Sequence, residues 1–268
     1  MLQKSLGIIG TGNMAAALVS GWKKNRTIKT IVGFDVDSKK LAGFSKKYRI
    51  QKAESLRDLS RCQIILLAVK PQQMKEVCDS IKSLLSQKTL ILSIAAGLDI
   101  HFFEKNLGLR PIIRLMPNTP ALLGLGATGY YANKKCSRSD RIIAKTLFDA
   151  VGIVEEVKNE KLLDAVTALS GSGPAFFYRY VADMIAAATK LGLSSKASNQ
   201  LAIQTAMGAA SMLKDTGMDP ETLVAQVTSK GGTTLAGLEV LNKKGFTKIV
   251  SACLKAAASR AAILRKNQ

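Results

Sequence analysis

A glycine-rich turn close to the start of the chain is the feature that most restricts the possible folds. In the sequence GIIGTGNMA, residues 7–15, a short apolar run enters this turn, and a helical pattern continues over Met14–Lys24. Gly10 permits a tight turn, Gly12 leaves room for a pyrophosphate, and Ala15 lets the helix pack closely on the strand. The helix N-terminus then offers free N–H groups to the phosphates. The pattern predicts a nicotinamide dinucleotide site, and the alternative is a glycine-rich turn that binds nothing.

An acidic residue follows at the distance that dinucleotide-binding folds require. Asp35 ends the second apolar run, Thr30–Phe34, about 20 residues beyond the turn. A carboxylate there accepts hydrogen bonds from the adenosine ribose hydroxyls and repels a 2′-phosphate. The sequence therefore favours NADH slightly over NADPH, although Lys39 and Lys40 are close enough in sequence to offset the preference.

Apolar runs and helical patterns alternate over the first 158 residues. The continuous run Gln63–Val69 is typical of a parallel strand covered on both faces, and Pro71 cannot continue it. Such alternation predicts a doubly wound parallel sheet of the Rossmann type, whose ligands bind beyond the carboxyl ends of the strands. The candidate dinucleotide contacts at that edge are Gly10, Thr11, Gly12, Asp35, Lys70, Pro71, Ala95, Ala96 and Gly97.

The composition changes near Lys158. The rest of the chain is alanine-rich, nearly all helical in pattern, and contains glycine only at breaks. In Phe246–Leu264 the apolar residues cover well over half of the helix circumference, whereas a surface helix has one apolar stripe. We therefore expect a dinucleotide-binding domain over residues 1–158 and an all-helical domain over residues 159–268 that does not work as a monomer.

Bulk properties restrict the location and the partners. The formal net charge is +20, but the basic residues are scattered as pairs, which is typical of a solvated surface and not of a nucleic-acid-binding tract. No apolar run approaches a membrane span, and the fingerprint strand begins too early for a signal peptide. The four cysteines have no metal-ligand spacing, so we expect a cytoplasmic protein with reduced cysteines and no metal. The single His101 is expected to be structural.

A second glycine motif lies in the helical half. Within VTSKGGTTLAGL, residues 227–238, two glycines stand directly before a helix that begins with hydroxyl residues. Exposed N–H groups at such a terminus bind a carboxylate well. The alternative is that Thr233 or Thr234 is an ordinary N-cap.

Six segments taken together resemble the pyrroline-5-carboxylate reductase family over essentially the whole chain. They are GIIGTGNMA (7–15), AVKP (68–71), AAG (95–97), RLMPNTPA (114–121), AVTALSGSGPAF (165–176) and TSKGGTT (228–234). The resemblance implies reduction of Δ1-pyrroline-5-carboxylate to L-proline by NAD(P)H, the last step of proline biosynthesis. It also implies an interlocked homodimer, in some members assembled into a decamer, with the carboxylate loop of one chain over the cofactor of the other.

The resemblance also implies roles for individual residues. Ser229, Gly232 and Thr233 match the loop that holds the substrate carboxylate, and Thr234 matches the threonine that hydrogen-bonds the ring nitrogen, which makes it the candidate catalytic residue. The cofactor contacts extend to Asn13, Met14, Ala68, Val69 and Asn118. Two positions depart from the family pattern. Lys230 replaces a proline, and Asp35 with Val36 replaces the asparagine and arginine that hold a 2′-phosphate in many members.

Two other functions share parts of this pattern. A β-hydroxyacid dehydrogenase has the same domain order but needs a lysine general acid near the start of the long helix, where this chain has GSGPAFFYRY with Arg179 and no lysine. A non-enzymatic protein that senses a dinucleotide and binds nucleic acid would use the positive charge, and would bind with a steep salt dependence.

Overall fold

The computed structural model describes residues 1–266 of the chain as an α/β structure built around one sheet. The strands are β1 (Leu2–Ile9), β2 (Ile28–Phe34), β3 (Gln51–Lys52), β4 (Ile64–Leu67), β5 (Leu90–Ser93), β6 (Ile112–Met116), β7 (Gly126–Ala132) and β8 (Gly152–Glu156). The helices are α1 (Asn13–Lys24), α2 (Ser38–Tyr48), α3 (Met74–Ile81), α4 (Ile100–Leu107), α5 (Arg138–Asp149), α6 (Leu162–Val166), α7 (Gly173–Lys190), α8 (Ser195–Thr216), α9 (Pro220–Gln226), α10 (Thr233–Lys243) and α11 (Phe246–Lys266).

The strand order confirms the doubly wound sheet. The order is β3-β2-β1-β4-β5-β6-β7-β8, so the chain leaves β1 on one side to form β2 and returns on the other side to form β4. The pairs from β3 to β6 are parallel, and the pair β6–β7 is antiparallel. This departure from an all-parallel sheet has a simple cause: the chain between Met116 and Gly126 is too short for the crossover that a parallel pair needs.

Two hydrophobic clusters cover the two faces of the sheet. Neighbouring residues of β1 point to opposite faces, so Ile8 belongs to one cluster with Trp22 of α1, and Ile9 belongs to the other with Phe103 of α4. Strand β4 is buried along its whole length, as the apolar run in the sequence predicts. Burial on both faces fixes the sheet rigidly, and its carboxyl edge is left to carry the loops.

Two helical boundaries differ from the periodicity of the sequence. Apolar residues recur at helical spacing over Met74–Leu85, which predicts one helix to Leu85, but α3 stops at Ile81 and turns follow. In the helical half, α6 widens into a π-helical turn over Thr167–Gly171 before α7 begins. Pro174 lies in the first turn of α7, where the missing N–H costs nothing, so the proline opens a new helix after this turn.

The described chain divides into two compact units. One contains Met1–Ser172 together with the chain from Ala256 onward, and the other contains Gly173–Lys255. The domain boundary at residue 158 stays a prediction. Across residues 1–266, none of the helices has the length and apolarity that crossing a membrane requires.

Two helical glycines have opposite surroundings. A Cβ on Gly21 of α1 would overlap Cγ1 of Val151 and approach the carbonyl oxygen of Ala150 to 3.1 Å. Gly43 of α2 has nothing within 4 Å of such a Cβ. Gly21 is therefore the position that lets α1 lie against the chain entering β8.

We expect Gly21→Ala to lower the free energy of unfolding by about 1–2 kcal/mol, because the overlap outweighs the gain in helix propensity. Gly43→Ala is the matched control, and it should raise the free energy of unfolding by about 0.5–1 kcal/mol. Urea denaturation of both variants measures the difference. Equal effects of the two substitutions would contradict the close approach at Gly21.

Candidate functional site

A cleft of about 490 Å³ opens at the carboxyl ends of β1, β2 and β4, where the strand order reverses. Cavities of this size hold cofactors and other small molecules. Seven residues predicted from the sequence line it: Gly10, Thr11, Gly12, Asp35, Ala68, Val69 and Lys70. The structure therefore brings together the glycine turn, the acidic end of β2 and the end of β4.

The two glycines of the turn have different tasks. Gly10 has φ +96°, and a Cβ there would lie 2.7 Å from the carbonyl oxygen of Ala68, so the turn requires glycine for its shape and for its approach to β4. Gly12 has nothing within 4 Å of a Cβ and lines the open cleft. It is also the N-cap of α1, and no side chain caps that helix. The arrangement fits a dinucleotide, because free N–H groups and empty space lie where a pyrophosphate needs them.

The carboxylate of Asp35 holds the turn in place. Its Oδ2 accepts hydrogen bonds from the backbone N–H and the hydroxyl of Thr11, both at 2.7 Å, and its Oδ1 accepts one from the N–H of Asp37 at 3.1 Å. Lys40 Nζ lies 3.4 Å from Oδ2. Burial by itself raises the pKa of Asp35, but the bonds from Thr11 and Asp37 and the charge of Lys40 outweigh it and lower the pKa. The group is therefore a carboxylate at neutral pH, and much of its hydrogen-bonding capacity serves the turn.

The segment Ala95–Gly97 belongs to a different part of the first unit. It lines a small cavity beside the end of α11, and a Cβ on Gly97 would contact Leu264 at 3.4 Å. The chain that follows it is anchored by Glu160, whose carboxylate accepts from the N–H of Ile100 at 2.7 Å and from Arg114 at 2.6 Å. A predicted contact of Ala95, Ala96 and Gly97 with the cofactor stays a prediction.

Asn118 is engaged within the protein. Its amide nitrogen donates to the carbonyl of Ser170 at 3.0 Å, and its amide oxygen accepts from the N–H of Ala127 at 2.9 Å. The buried side chain thus ties β7 to the turn before α7. Three other predicted contacts are sequence neighbours of residues that line the cleft but do not line it themselves: Asn13, Met14 and Pro71. The cofactor contacts predicted for these three residues and for Asn118 stay predictions.

Several residues of the cleft were missed by the sequence reasoning. Gln73 ends the 3-10 turn Pro71–Gln73, and Leu56 begins another 3-10 turn. The other three lie on one face of α3: Glu76, Val77 and Ser80. The helical spacing of these three was available in the sequence. Which face of α3 meets the cleft is set by its packing on the sheet, where Met74 and Cys78 join the cluster of Ile9 and Ile65.

The second unit contains the other glycine motif, at the start of α10. Gly232 is the N-cap and no side chain caps the helix, so the interpretation of Thr233 or Thr234 as an ordinary N-cap is wrong. The N–H of Gly232 donates to the carbonyl of Ser229 at 3.0 Å, and Gly231 has φ +71°. Thr233 and Thr234 therefore open the helix with N–H groups that no cap occupies.

Glycine at the N-cap distinguishes these two helices from most others in the described chain. Helices α2, α4, α5, α8 and α9 begin at an N-cap whose side chain accepts a backbone N–H: Asp37, Asp99, Ser137, Ser194 and Asp219. Such caps are worth about 1 kcal/mol each. Helices α1 and α10 forgo this stabilisation at the two positions where the sequence predicts an anionic ligand.

Comparison with known proteins gives consistent matches over both halves of the chain. Residues 160–264 match the sequence model of the family described as pyrroline-5-carboxylate reductase dimerisation, and residues 5–97 match that described as NADP oxidoreductase coenzyme F420-dependent. The pyrroline-5-carboxylate reductase of Pseudomonas aeruginosa is 40% identical over 97% of this chain and 96% of its own length. One from Bacillus subtilis is 35% identical over 98% of this chain and 96% of its own length.

A solved structure of a pyrroline-5-carboxylate reductase from Coxiella burnetii superposes with a TM-score of 0.94 at 34% identity, covering 98% of this chain and 99% of that chain. The pyrroline carboxylate reductase of Plasmodium falciparum, solved with NADP bound, superposes with a TM-score of 0.86 at 32% identity and covers 99% of both chains.

The two glycines of the turn give a test of the cleft. Gly12→Ala should leave the melting temperature unchanged, because its Cβ enters open space, but should weaken NADH binding at least about tenfold, or ~1.4 kcal/mol. Gly10→Ala should instead lower the melting temperature through strain and the contact with Ala68. Calorimetric titration with NADH and thermal unfolding measure the two effects. Unchanged NADH affinity in Gly12→Ala would contradict this location of the pyrophosphate.

Proposed function

Because the chain belongs to the pyrroline-5-carboxylate reductase family, we propose that it reduces Δ1-pyrroline-5-carboxylate to L-proline, the last step of proline biosynthesis, with NADPH or NADH. The observation that carries this proposal is the presence, in one chain, of a dinucleotide cleft and of a second glycine-capped helix start. The first suits a pyrophosphate and the second suits a carboxylate. The substrate is a cyclic imine that bears a carboxylate.

The bound dinucleotide supplies the hydride, which adds to the carbon of the C=N bond while the nitrogen carries a proton taken from solvent. The residues of the chain bind and orient the reactants. The turn at Gly10–Gly12, fixed by Asp35, holds the pyrophosphate end of the cofactor. Because water can supply the proton that the imine nitrogen takes up, the reaction needs positioning more than a general acid. His101 is exposed on α4 and is not required for proton transfer.

The start of α10 holds the substrate in this proposal. The N–H groups of Thr233 and Thr234 point out of an uncapped helix end, where the helix dipole favours a carboxylate. Ser229 and Gly232 shape the loop, since the N–H of Gly232 is used in closing it. Thr234 is half-buried, and in residues 1–266 its hydroxyl makes no hydrogen bond to the protein, so it is free to bind the ring nitrogen. Lys230 replaces the proline that the family pattern has in this loop, and the loop closes here without it.

The cofactor preference rests on the charges at the end of β2. At the end of β2 the carboxylates of Asp35 and Asp37 line the cleft together with the ammonium group of Lys40. Elsewhere in the lining, Lys70 and Glu76 add one charge of each sign. Two negative charges against one positive charge disfavour an additional phosphate. We therefore propose a weak preference for NADH.

The second unit supports assembly into a homodimer. More than half of the large hydrophobic side chains that are exposed in the described chain lie within residues 173–255, and α9, α10 and α11 have no buried residue. Monomeric proteins rarely expose apolar surface on this scale. In the proposed dimer, the loop before α10 of one chain covers the cofactor of the other. A decamer and a cytoplasmic location stay predictions.

The activity is tested by following oxidation of NADH and NADPH at 340 nm. Addition of pyrroline-5-carboxylate should start oxidation, and a β-keto acid should not. Arg179 occupies the region where a hydroxyacid dehydrogenase needs a lysine, and its guanidinium pairs with Asp183 on the exposed face of α7. Oxidation with the keto acid alone would overturn the proposal in favour of a hydroxyacid dehydrogenase.

Thr234→Ala should lower kcat/KM by about 10- to 100-fold, on the scale of one active-site hydrogen bond of ~1.5–3 kcal/mol. The dissociation constant for NADH should stay the same, because the substitution lies outside the dinucleotide cleft. The matched control is Thr233→Ala, whose side chain is exposed. Steady-state kinetics measure both variants. Full activity in Thr234→Ala with the whole loss in Thr233→Ala would show that the hydrogen bond belongs to Thr233 and not to Thr234.

The double variant Val250→Glu, Leu254→Glu in α11 should dissociate the dimer and abolish turnover, because two carboxylates would be buried in an apolar interface. Dinucleotide binding should survive. The control is Thr247→Glu, Ser251→Glu, which adds the same charges at the same spacing in the same helix. Light scattering combined with the activity assay measures both, and an active monomer would contradict the proposal.

A further inference from the structure

Lys40 is the only side-chain cation of the described chain that lies against Asp35 in the cleft. Its Nζ is 3.4 Å from Asp35 Oδ2, and both residues line the cavity. The side chain of Asp35 is only 9% exposed, whereas that of Lys40 is 49% exposed. The acid is therefore fixed, and the ammonium group stands at the mouth of the cleft on a flexible stem.

Asp35 does not depend on Lys40 for its partners. Three hydrogen bonds from the chain satisfy its carboxylate, two from Thr11 and one from the N–H of Asp37. Asp37 is similarly occupied, since its side chain accepts the N–H of Lys40 at the start of α2. If the ammonium group of Lys40 moved away, both carboxylates would keep their hydrogen bonds.

A second anion beside Asp35 would compete with it for the ammonium group of Lys40. A partly exposed ion pair at 3.4 Å contributes little, because water screens it and the lysine loses side-chain freedom. A phosphate monoester carries close to two negative charges and three acceptor oxygens, so it competes well for the same ammonium group. Helix α2 begins at Asp37 beside the same cleft, and the dipole of a helix N-terminus favours an anion.

From this geometry we propose that Lys40 is the specificity residue that lets the cleft accept a 2′-phosphate, by exchanging its ammonium group between Asp35 and that phosphate. The proposal rests on the dinucleotide cleft of the proposed function. In the absence of a 2′-phosphate, Lys40 neutralises Asp35, and the ribose of NADH meets a less negative surface. In its presence, Lys40 becomes the counter-ion of the phosphate while Thr11 continues to hold Asp35.

The test uses two nucleotide fragments that differ only in the 2′-phosphate, namely 2′,5′-ADP and 5′-AMP. Calorimetric titration measures the affinity of the unsubstituted chain and of the Lys40→Met variant for each fragment. The variant should bind 2′,5′-ADP about tenfold or more weakly than the unsubstituted chain. Its affinity for 5′-AMP should change by less than about twofold. The logarithmic salt dependence of 2′,5′-ADP binding should also become shallower, because one ionic contact is lost. Lys40→Arg should restore most of the affinity for 2′,5′-ADP.

Lys39→Met is the matched control. Lys39 is the exposed neighbour in the same helix, carries the same charge, and does not line the cleft. Equal losses in Lys39→Met and Lys40→Met would overturn the proposal in favour of a general surface charge, and so would unchanged 2′,5′-ADP affinity in Lys40→Met. If the unsubstituted protein binds neither fragment, the dinucleotide cleft itself is wrong and the proposed function fails with it. Thermal unfolding of both variants establishes that they are folded.

Discussion

The hydrogen bonds between Asp35 and Thr11 are the interaction on which the rest of the site depends. They join the turn after β1 to the end of β2, so the two neighbouring strands end in one rigid corner. A carboxylate that accepts two short hydrogen bonds in a partly buried place is a strong tether. Because the turn is fixed from the β2 side, Gly10 can lie against Ala68 and α1 can begin with its N–H groups directed into the cleft.

These hydrogen bonds limit what the acidic residue at the end of β2 can offer to a ligand. Such a residue is expected to bind the adenosine ribose hydroxyls. In this chain its hydrogen-bonding capacity is largely spent on Thr11 and Asp37 before any ligand arrives. Lys40 Nζ lies 3.4 Å from the same carboxylate and offsets part of its charge. In the proposed cofactor site, the preference between the two dinucleotides then depends on this partly exposed ion pair as well as on the acid.

The two units of the chain differ in how far they bury their own apolar side chains. The sheet unit buries its central strands β4 and β5 on both faces and packs a hydrophobic cluster on each side of the sheet, as a stable domain needs. The helical unit leaves large apolar side chains on its surface, among them Phe177, Leu191 and Ile249. A unit with such an exposed apolar surface gains stability when that surface is buried against another chain.

The sequence by itself determined the fold class, the glycine turn, the acidic residue, and the two helices that start at a glycine. Each of these is a local property: strand and helix periods, the need for glycine at Gly10, and the spacing to Asp35 are written in neighbouring residues. The family resemblance, carried by six short segments, gave the reaction and the order of the domains. These expectations needed no knowledge of distant contacts.

Only the tertiary structure decided how the polar groups are shared. Asn118 donates to Ser170, Asp35 accepts from Thr11, and the face of α3 with Val77 closes the cleft, all between residues far apart in sequence. It also decided that β7 runs antiparallel to β6. The physical reason is that a hydrogen bond or a strand pairing depends on which elements lie side by side, and packing of the whole sheet sets this. Local patterns fix the character of each element, and only the assembled core fixes its partners.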